Sequence, residues 1–137
     1  MIRRSEFITL LGGAAAWPLA ARAQQGDRVR RIGVLMSLDE NDPLAKLTLS
    51  AFTQALAALG WTDGRNVRMD LRGLGDGSDI NRIRALAQEL VGLQPDIIVT
   101  GGTTTGTVAV QRETRTIPIV FANVSDPVAS VWCARMR

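Results

Sequence analysis

Four short apolar runs, separated by segments of helical periodicity, dominate the pattern of this chain. They lie at residues 31–36, 67–71, 97–99 and 117–122. The run at 97–99 shows no polar alternation, which is typical of a central parallel strand covered on both faces. The run at 67–71 alternates apolar with charged residues, as a half-exposed strand near an edge does. The pattern therefore predicts four strands.

Between these runs, apolar residues recur at helical spacing. The first predicted helix begins at Asp42-Pro43, an N-cap carboxylate followed by proline at the first helical position. Its expected sheet-facing residues are Leu47, Ala51, Phe52, Ala55, Leu56 and Leu59. The second helix is expected over residues 80–93, with Ile80, Ile83, Leu86, Ala87 and Leu90 inward. The third is expected over residues 104–113.

The element order β-α-β-α-β-α-β predicts an α/β fold, because helical crossovers of this length suit parallel strands. We expect a doubly wound, mostly parallel, flavodoxin-like sheet of order 2-1-3-4 between two helical layers. In such a sheet the loops after strands 1, 3 and 4 gather at the carboxyl edge, where small ligands bind. The glycine-rich loop at residues 73–78, after strand 2, is expected to be flexible and to lie further off.

The turn after the third strand carries the main candidate chemistry. Gly101 and Gly102 let the backbone turn sharply, and Thr103, Thr104 and Thr105 then place hydroxyls and N–H groups at a helix start. These groups can hold a small anion such as a carboxylate. Any fold of this class also needs such a turn to begin its helix, so ligand contact and simple helix capping both stay open.

Other motifs are incomplete. The segment 101–107 nearly matches a phosphate-binding loop, but Thr107 stands where that motif needs Lys, which argues against nucleotide hydrolysis. The loop 73–78 lacks the last glycine of a dinucleotide fingerprint and follows the wrong strand. Asp76 and Asp79 lack a full calcium-ligand series. The acidic loop 39–42 is better explained by capping and solvation than by acid/base chemistry.

The loop after the fourth strand holds a further candidate, Ser125-Asp126-Pro127. The Asp126 carboxylate can accept hydrogen bonds from a ligand's ammonium group. Asp before Pro is also a common turn starter. Both interpretations stay open from the residues alone.

Composition excludes several functions. The 137 residues suit one domain; there is no His, and Cys133 is the single cysteine. An intrachain disulfide, a Cys/His zinc site and a Ser-His-Asp or Cys-His couple are therefore impossible. The formal charge is +3, but without the three arginines and one glutamate of residues 1–23 the chain keeps 13 basic and 12 acidic residues. A near-neutral chain argues against nucleic-acid binding.

Residues 1–23 have the order of an export signal, followed by a polar linker at 24–30. Arg3 and Arg4 precede an uncharged run at 7–21, and a small-residue site predicts cleavage after Ala23. We therefore expect a periplasmic protein; an uncleaved anchor or an internal helix is the alternative. The arginine pair suggests twin-arginine export, but two residues instead of one separate it from the following Phe, so the general secretory route stays open.

Several segments resemble one family. They read R-R-I-G-V-L-M-S at 30–37, L-G-W-T-D-G-R-N-V at 59–67, P-D-I-I-V at 95–99, and T-I-P-I-V-F with V-S-D-P-V between 116 and 128. The leader segment E-F-I-T-L-L-G-G-A fits as well. The chain resembles the ABC transporter substrate-binding proteins whose better-known members bind tryptophan or tyrosine.

The resemblance implies one lobe of a type I periplasmic-binding-protein fold. Two such lobes close on a small molecule, possibly an amino acid, and present it to an ABC permease. It implies a monomeric binding protein without a cofactor, not an enzyme. The loops that would face the cleft carry Ser37, Thr103, Thr104, Thr105, Ser125 and Asp126.

Family members continue after Asp-Pro-Val into a second lobe, whereas here residues 129–137 follow as an aberrant tail. We therefore expect a truncated or frameshifted N-terminal lobe at 31–128. One lobe presents half a cleft, so binding is expected to be weak or absent. The fourth strand would form an aggregation-prone apolar edge.

Two other functions remain open. A small flavodoxin-like enzyme, or a module that binds phosphate or flavin through the threonine turn, is the main alternative. The export signal, the lack of His and the missing Lys argue against it. The second alternative is a pseudogene product that has no present function.

Overall fold

The computed structural model describes residues 28–126. The predicted leader, the first part of the linker and the tail at 129–137 lie outside this range. The strands are β1 (Arg30–Met36), β2 (Val67–Gly73), β3 (Ile97–Gly101) and β4 (Ile119–Ala122). The helices are α1 (Pro43–Ala58), α2 (Ile80–Gly92) and α3 (Thr104–Glu113). Between residues 28 and 126, no helix has the length and apolarity needed to cross a membrane.

The four strands form one parallel sheet of order β2-β1-β3-β4. The predicted α/β class and strand order are confirmed. The right-handed crossover rule explains the layers: moving from β1 to β2 places α1 on one face, and moving the other way places α2 and α3 on the opposite face. The loops after β1, β3 and β4 thereby meet at the carboxyl edge.

Each face of the sheet has its own apolar cluster. Leu35 and Ile98 pack with Ile83, Leu90 and Val110 under α2 and α3. On the other face, β1 and β2 residues pack with Ala45 of α1 and with the partly buried Phe52 and Leu56. The central strand β3 is thus covered by residues of both layers, as its unbroken apolar run predicts.

The predicted inner face of α1 is wrong at four of its six positions. Phe52 and Leu56 do pack on the sheet, but Leu47 is 68% and Leu59 76% exposed, and Ala51 and Ala55 are also exposed. The other apolar residues of α1 that face inward are Ala45 and Leu49. Lys46 is the single charged residue of this helix, so apolar residues cover both faces and their spacing alone does not select the buried one.

The predicted inner face of α2 is wrong at one position. Ile80, at the first turn, is 65% exposed. The remaining predicted positions face inward: Ile83, Ala87 and Leu90 are buried and Leu86 is partly buried.

The loop after β2 lies closer than expected. Leu74 is buried in the cluster under α2 and α3, and its N–H donates to the Met36 carbonyl at 2.9 Å. The Gly73 N–H donates to Glu40 Oε1 at 3.3 Å, and a Cβ on Gly73 would lie 2.6 Å from the Leu38 carbonyl oxygen. The expectation that this loop lies away from the loop after β1 is therefore wrong.

Candidate functional site

The turn between β3 and α3 is held against the end of β1. Gly102 has φ +67°, and a Cβ built there would lie 2.7 Å from Ser37 Oγ. Glycine is required both for the dihedral angle and for the close approach. The Ser37 N–H donates to the Gly101 carbonyl and the Gly102 N–H to the Ala122 carbonyl, both at 3.0 Å. The ends of β1, β3 and β4 are thereby joined.

Thr103 caps α3. Its Oγ1 accepts a hydrogen bond of 2.9 Å from the Gly106 N–H, and its backbone is extended, as an N-cap residue requires. A Cβ on Gly106 would lie 3.1 Å from both Leu35 and Leu74, so the first turn of α3 packs tightly on the core. Of the two interpretations left open by the sequence, capping is confirmed for the Thr103 hydroxyl.

Thr104 links the turn to the loop after β4, whereas Thr105 lies on another side. Thr104 Oγ1 donates to the Ser125 carbonyl at 3.1 Å. Thr105 is exposed and lines a groove between α2 and α3 together with Ile80 and Arg84. Because the first N–H groups of a helix have no carbonyl partner within it, the N–H groups of Thr104 and Thr105 form the positive end of α3.

Carboxylates surround this edge of the sheet. Asp42 caps α1 by accepting from the Leu44 N–H at 2.7 Å, and Asp79 caps α2 by accepting from the Asn81 N–H at 2.9 Å. Asp39 accepts from the Asn41 N–H at 2.9 Å. These contacts confirm capping and local turns as the role of the acidic loops. Asp126 is exposed and has φ +50°, which places it at a sharp bend beside Ser125.

Two buried threonines support the turn from below. Thr100 and Thr107 are almost fully buried, and their Oγ1 atoms lie 2.7 Å apart. Thr107 Oγ1 also donates to the Thr103 carbonyl at 2.7 Å. The residue at the Lys position of a phosphate-binding loop therefore points into the core. Sequence reasoning did not single out these two residues as a pair; the available signal was one polar residue at the end of an otherwise apolar strand.

A different cavity lies at the opposite, amino edge of the sheet. It has a volume of about 430 Å³, and its lining is mainly apolar: Ile32, Leu56, Trp61, Val67 and Ile97, with Arg30 and Asp96. Arg30 Nη1 donates to Asp96 Oδ1 at 3.2 Å, so the two charged groups engage each other. The carboxyl edge, in contrast, has the convergent polar groups that orient a ligand.

Asp96, just before β3, connects the start of β3 to the start of β1 through hydrogen bonds and ion pairs. The Arg31 backbone N–H donates to its carboxylate at 2.9 Å, and Arg28 lies 3.0 Å away. The pKa of Asp96 is lowered, chiefly by the Arg31 backbone hydrogen bond. Burial opposes this as the next largest effect, and the Arg30 hydrogen bond and the charges of Arg28 and Arg30 lower the pKa further. This cluster fixes the chain at the edge remote from the candidate site.

The candidate residues therefore fall into three groups. Ser37, Thr103, Thr104 and Ser125 are joined at the carboxyl edge through the Gly102 turn, Asp126 adjoins them, and Thr105 turns toward the groove between α2 and α3. Within residues 28–126 there is no cluster of three or more His, Cys, Asp or Glu side chains that could hold a metal ion.

Solved structures share this fold. A substrate-binding protein with adhesive properties from Clostridium difficile, CD0873, in its ligand-free open form, matches with a TM-score of 0.64 and 28% identity over 74% of this chain. A conserved domain protein from Vibrio cholerae matches with a TM-score of 0.65 and 27% identity over 76%. An ABC domain from Streptococcus pneumonia in complex with L-Trp matches with a TM-score of 0.62 and 22% identity over 75%. The matched part spans 33% of each of these proteins.

A comparison with curated proteins finds no match. A family model described as ABC transporter substrate binding protein matches residues 31–134, most of the chain. The single-lobe architecture and the family resemblance inferred from the sequence are both confirmed. The chain belongs to the family of ABC transporter substrate-binding proteins.

Proposed function

We propose that this chain is the exported solute-binding component of an ABC-type importer and that its carboxyl edge forms one wall of the solute cleft. The observation that carries the proposal is the convergence of Ser37, the Gly102 turn and the Ser125 loop at one point. Open α/β sheets bind their ligands at such points, outside the carboxyl ends of the strands. Family membership supports binding and presentation of a solute as the role of this edge.

The proposed solute is a small molecule of the amino-acid class. The amino-terminal end of α3, with the N–H groups of Thr104 and Thr105, suits a carboxylate. The carboxylate of Asp126 suits an ammonium group. The pneumococcal neighbour, which binds L-Trp, supports this class of solute.

The isolated chain is proposed to bind weakly. A good pocket buries most of its ligand, whereas a single wall leaves it largely in water. The matched part spans 33% of each structural neighbour. We propose that a second lobe supplies the opposite wall of the cleft.

Titration of the full ¹⁵N-labelled chain with L-tryptophan tests the site. We expect millimolar binding, with amide shifts concentrated at Ser37, residues 102–105 and residues 125–126. Inorganic phosphate is the comparison ligand, because a phosphate module would respond to it instead. Shifts centred on Trp61 at the amino-edge cavity, or a response to phosphate alone, would contradict the proposal.

Export is tested separately. Expression of the full chain in a Gram-negative host should yield a periplasmic product that begins at Gln24. Replacing Arg3 and Arg4 with Lys should stop export by the twin-arginine route and leave general secretory export unchanged. A product that retains Met1 in the cytoplasmic fraction would contradict the proposed location.

A further inference from the structure

The buried hydroxyls beneath the turn form a directional chain. The Thr103 carbonyl oxygen can only accept, so the Thr107 hydroxyl donates its one proton to that oxygen, at 2.7 Å. Thr107 has no second hydroxyl proton for Thr100, whose Oγ1 lies 2.7 Å away. Thr100 is therefore the donor in that pair, and the order is Thr100 to Thr107 to the Thr103 carbonyl.

This chain fixes one peptide plane. The Thr103 carbonyl and the Thr104 N–H belong to the same planar, trans peptide unit and point in opposite directions. The carbonyl receives the Thr107 N–H at a long 3.3 Å and the Thr107 hydroxyl at 2.7 Å, so the hydroxyl makes the shorter contact. Holding the carbonyl inward holds the Thr104 N–H outward, toward the carboxyl edge.

We propose that Thr107, held in place by its hydrogen bond with Thr100, is a positioning residue that orients the Thr104 N–H toward the solute. That a solute binds there rests on the proposed function. Thr107 does not touch the solute, because it is buried. Thr107 occupies the position at which a phosphate-binding loop has an outward Lys. Its side chain instead points inward and donates to the Thr103 carbonyl, which sets the direction of the Thr104 N–H. A turn held this way is preorganised for an anion before any anion arrives.

A merely structural role for Thr107 makes a different prediction, and α1 contains a matched control. Thr53 Oγ1 donates to the Leu49 carbonyl at 2.7 Å, which is the same bond four residues back along a helix. Thr53 is partly buried and lies away from the turn. Thr53→Val and Thr107→Val therefore delete the same type of bond, but only the second touches the Thr103–Thr104 peptide.

The experiment compares the ligand-free full chain with Thr107→Val, Thr107→Ser and Thr53→Val by ¹⁵N spectra and amide hydrogen exchange. In Thr107→Val we expect the Thr104 amide resonance to move. We also expect the Gly106 amide, which donates to the Thr103 hydroxyl, to exchange up to about tenfold faster, because this cap loosens when the Thr103 carbonyl loses its hydroxyl partner. The exchange of the Ile98 amide, which donates to the Pro118 carbonyl within the sheet, corrects for overall stability. Thr107→Ser should restore the native values.

Equal changes in Thr107→Val and Thr53→Val, or no rescue by Thr107→Ser, would overturn the proposal. If Thr107→Val does not fold, Thr100→Val and Thr100→Ser decide it: the first should move the Thr104 amide and the second should not. Titration with L-tryptophan is a separate arm. The variants can change the Thr104 and Gly106 amides as expected while the wild-type chain does not bind L-tryptophan. That outcome would refute the proposed solute and leave the structural assignment of Thr107 intact.

Discussion

Ser37 and Gly102 touch across the carboxyl edge, and a methyl group on Gly102 would lie 2.7 Å from the Ser37 hydroxyl oxygen. Gly102 also has φ +67°, which disfavours any side chain. Gly102→Ala should therefore lower the free energy of unfolding by about 1–3 kcal/mol and displace Ser37. Urea denaturation measures the loss.

Gly101 is the matched control for this change. It is the preceding residue, and a Cβ built there meets no atom within 4 Å. Gly101→Ala should leave the stability nearly unchanged. Equal losses in the two variants would show that the contact with Ser37 is not what restricts position 102.

Asp96 makes stability depend on pH. Because folding lowers its pKa, its carboxylate stabilises the fold above the unfolded-state value of about 3.9, and this contribution is lost as the pH falls toward the lower folded value. Asp96→Asn should cost about 1–2 kcal/mol at neutral pH. The gap to wild type should shrink in acid, as urea midpoints at several pH values would show.

Asp76→Asn controls for loss of a negative charge. Asp76 is exposed, and the hydrogen bond that it accepts from the Ser78 N–H is a long 3.3 Å. This variant should stay close to wild type in the same urea measurements. An Asp96→Asn deficit that persisted unchanged below the unfolded-state pKa would contradict the assigned role of the carboxylate.

Gly106 and Gly92 should respond to alanine in opposite directions. A Cβ on Gly106 would lie 2.7 Å from Thr103 Cγ2 and 3.1 Å from Leu35 and Leu74, whereas one on Gly92 meets nothing within 4 Å. Gly106→Ala should therefore destabilise by about 1–3 kcal/mol. Gly92→Ala, at the end of α2, should stabilise by up to about 1 kcal/mol through its higher helix propensity. Thermal unfolding of both variants checks the sign.

Leu74 tests a part of the core that the sequence did not predict. It lies in a loop with three glycines and no periodicity, yet it is 2% exposed and packs beneath α3. Leu74→Ala should cost about 2–5 kcal/mol. Leu47→Ala, on the exposed face of α1, should cost far less. Similar losses at the two positions would mean that the loop is not anchored in the core.

Local signals were sufficient for most of the fold. The strand order follows from crossover length and handedness, and the bounds of α3 follow from the glycine turn and the Thr103 cap, which act on near neighbours. The burial of Leu74 and the inner face of α1 depend on which distant surfaces meet. Residue spacing does not encode which distant surfaces meet. This holds most of all for α1, which has a single charged residue to mark its outer face.

The same distinction applies to the site. Strand-end loops meet in any sheet of this order, so Ser37, Thr104 and Ser125 could be grouped in advance. The different direction of Thr105 depends on the rotation of α3 about its axis, and the Thr100–Thr107 pair depends on the register between β3 and α3. The first turn of α3 packs closely on Leu35 and Leu74, which are distant in sequence, so local spacing predicts neither feature.

The outer edge of the sheet leads to a prediction about association. Among the described residues β4 pairs only with β3, and its Val120 and Phe121 are 48% and 43% exposed. An apolar strand with free N–H and C=O groups is a template for pairing with other chains, and a Lys on such a strand blocks that pairing. Val120→Lys should therefore reduce concentration-dependent light scattering of the full chain while changing the unfolding free energy little.

Val29→Lys is the matched control, because Val29 is 50% exposed and lies just before β1. If both variants suppress scattering equally, added charge is the cause; if neither does, association uses another surface.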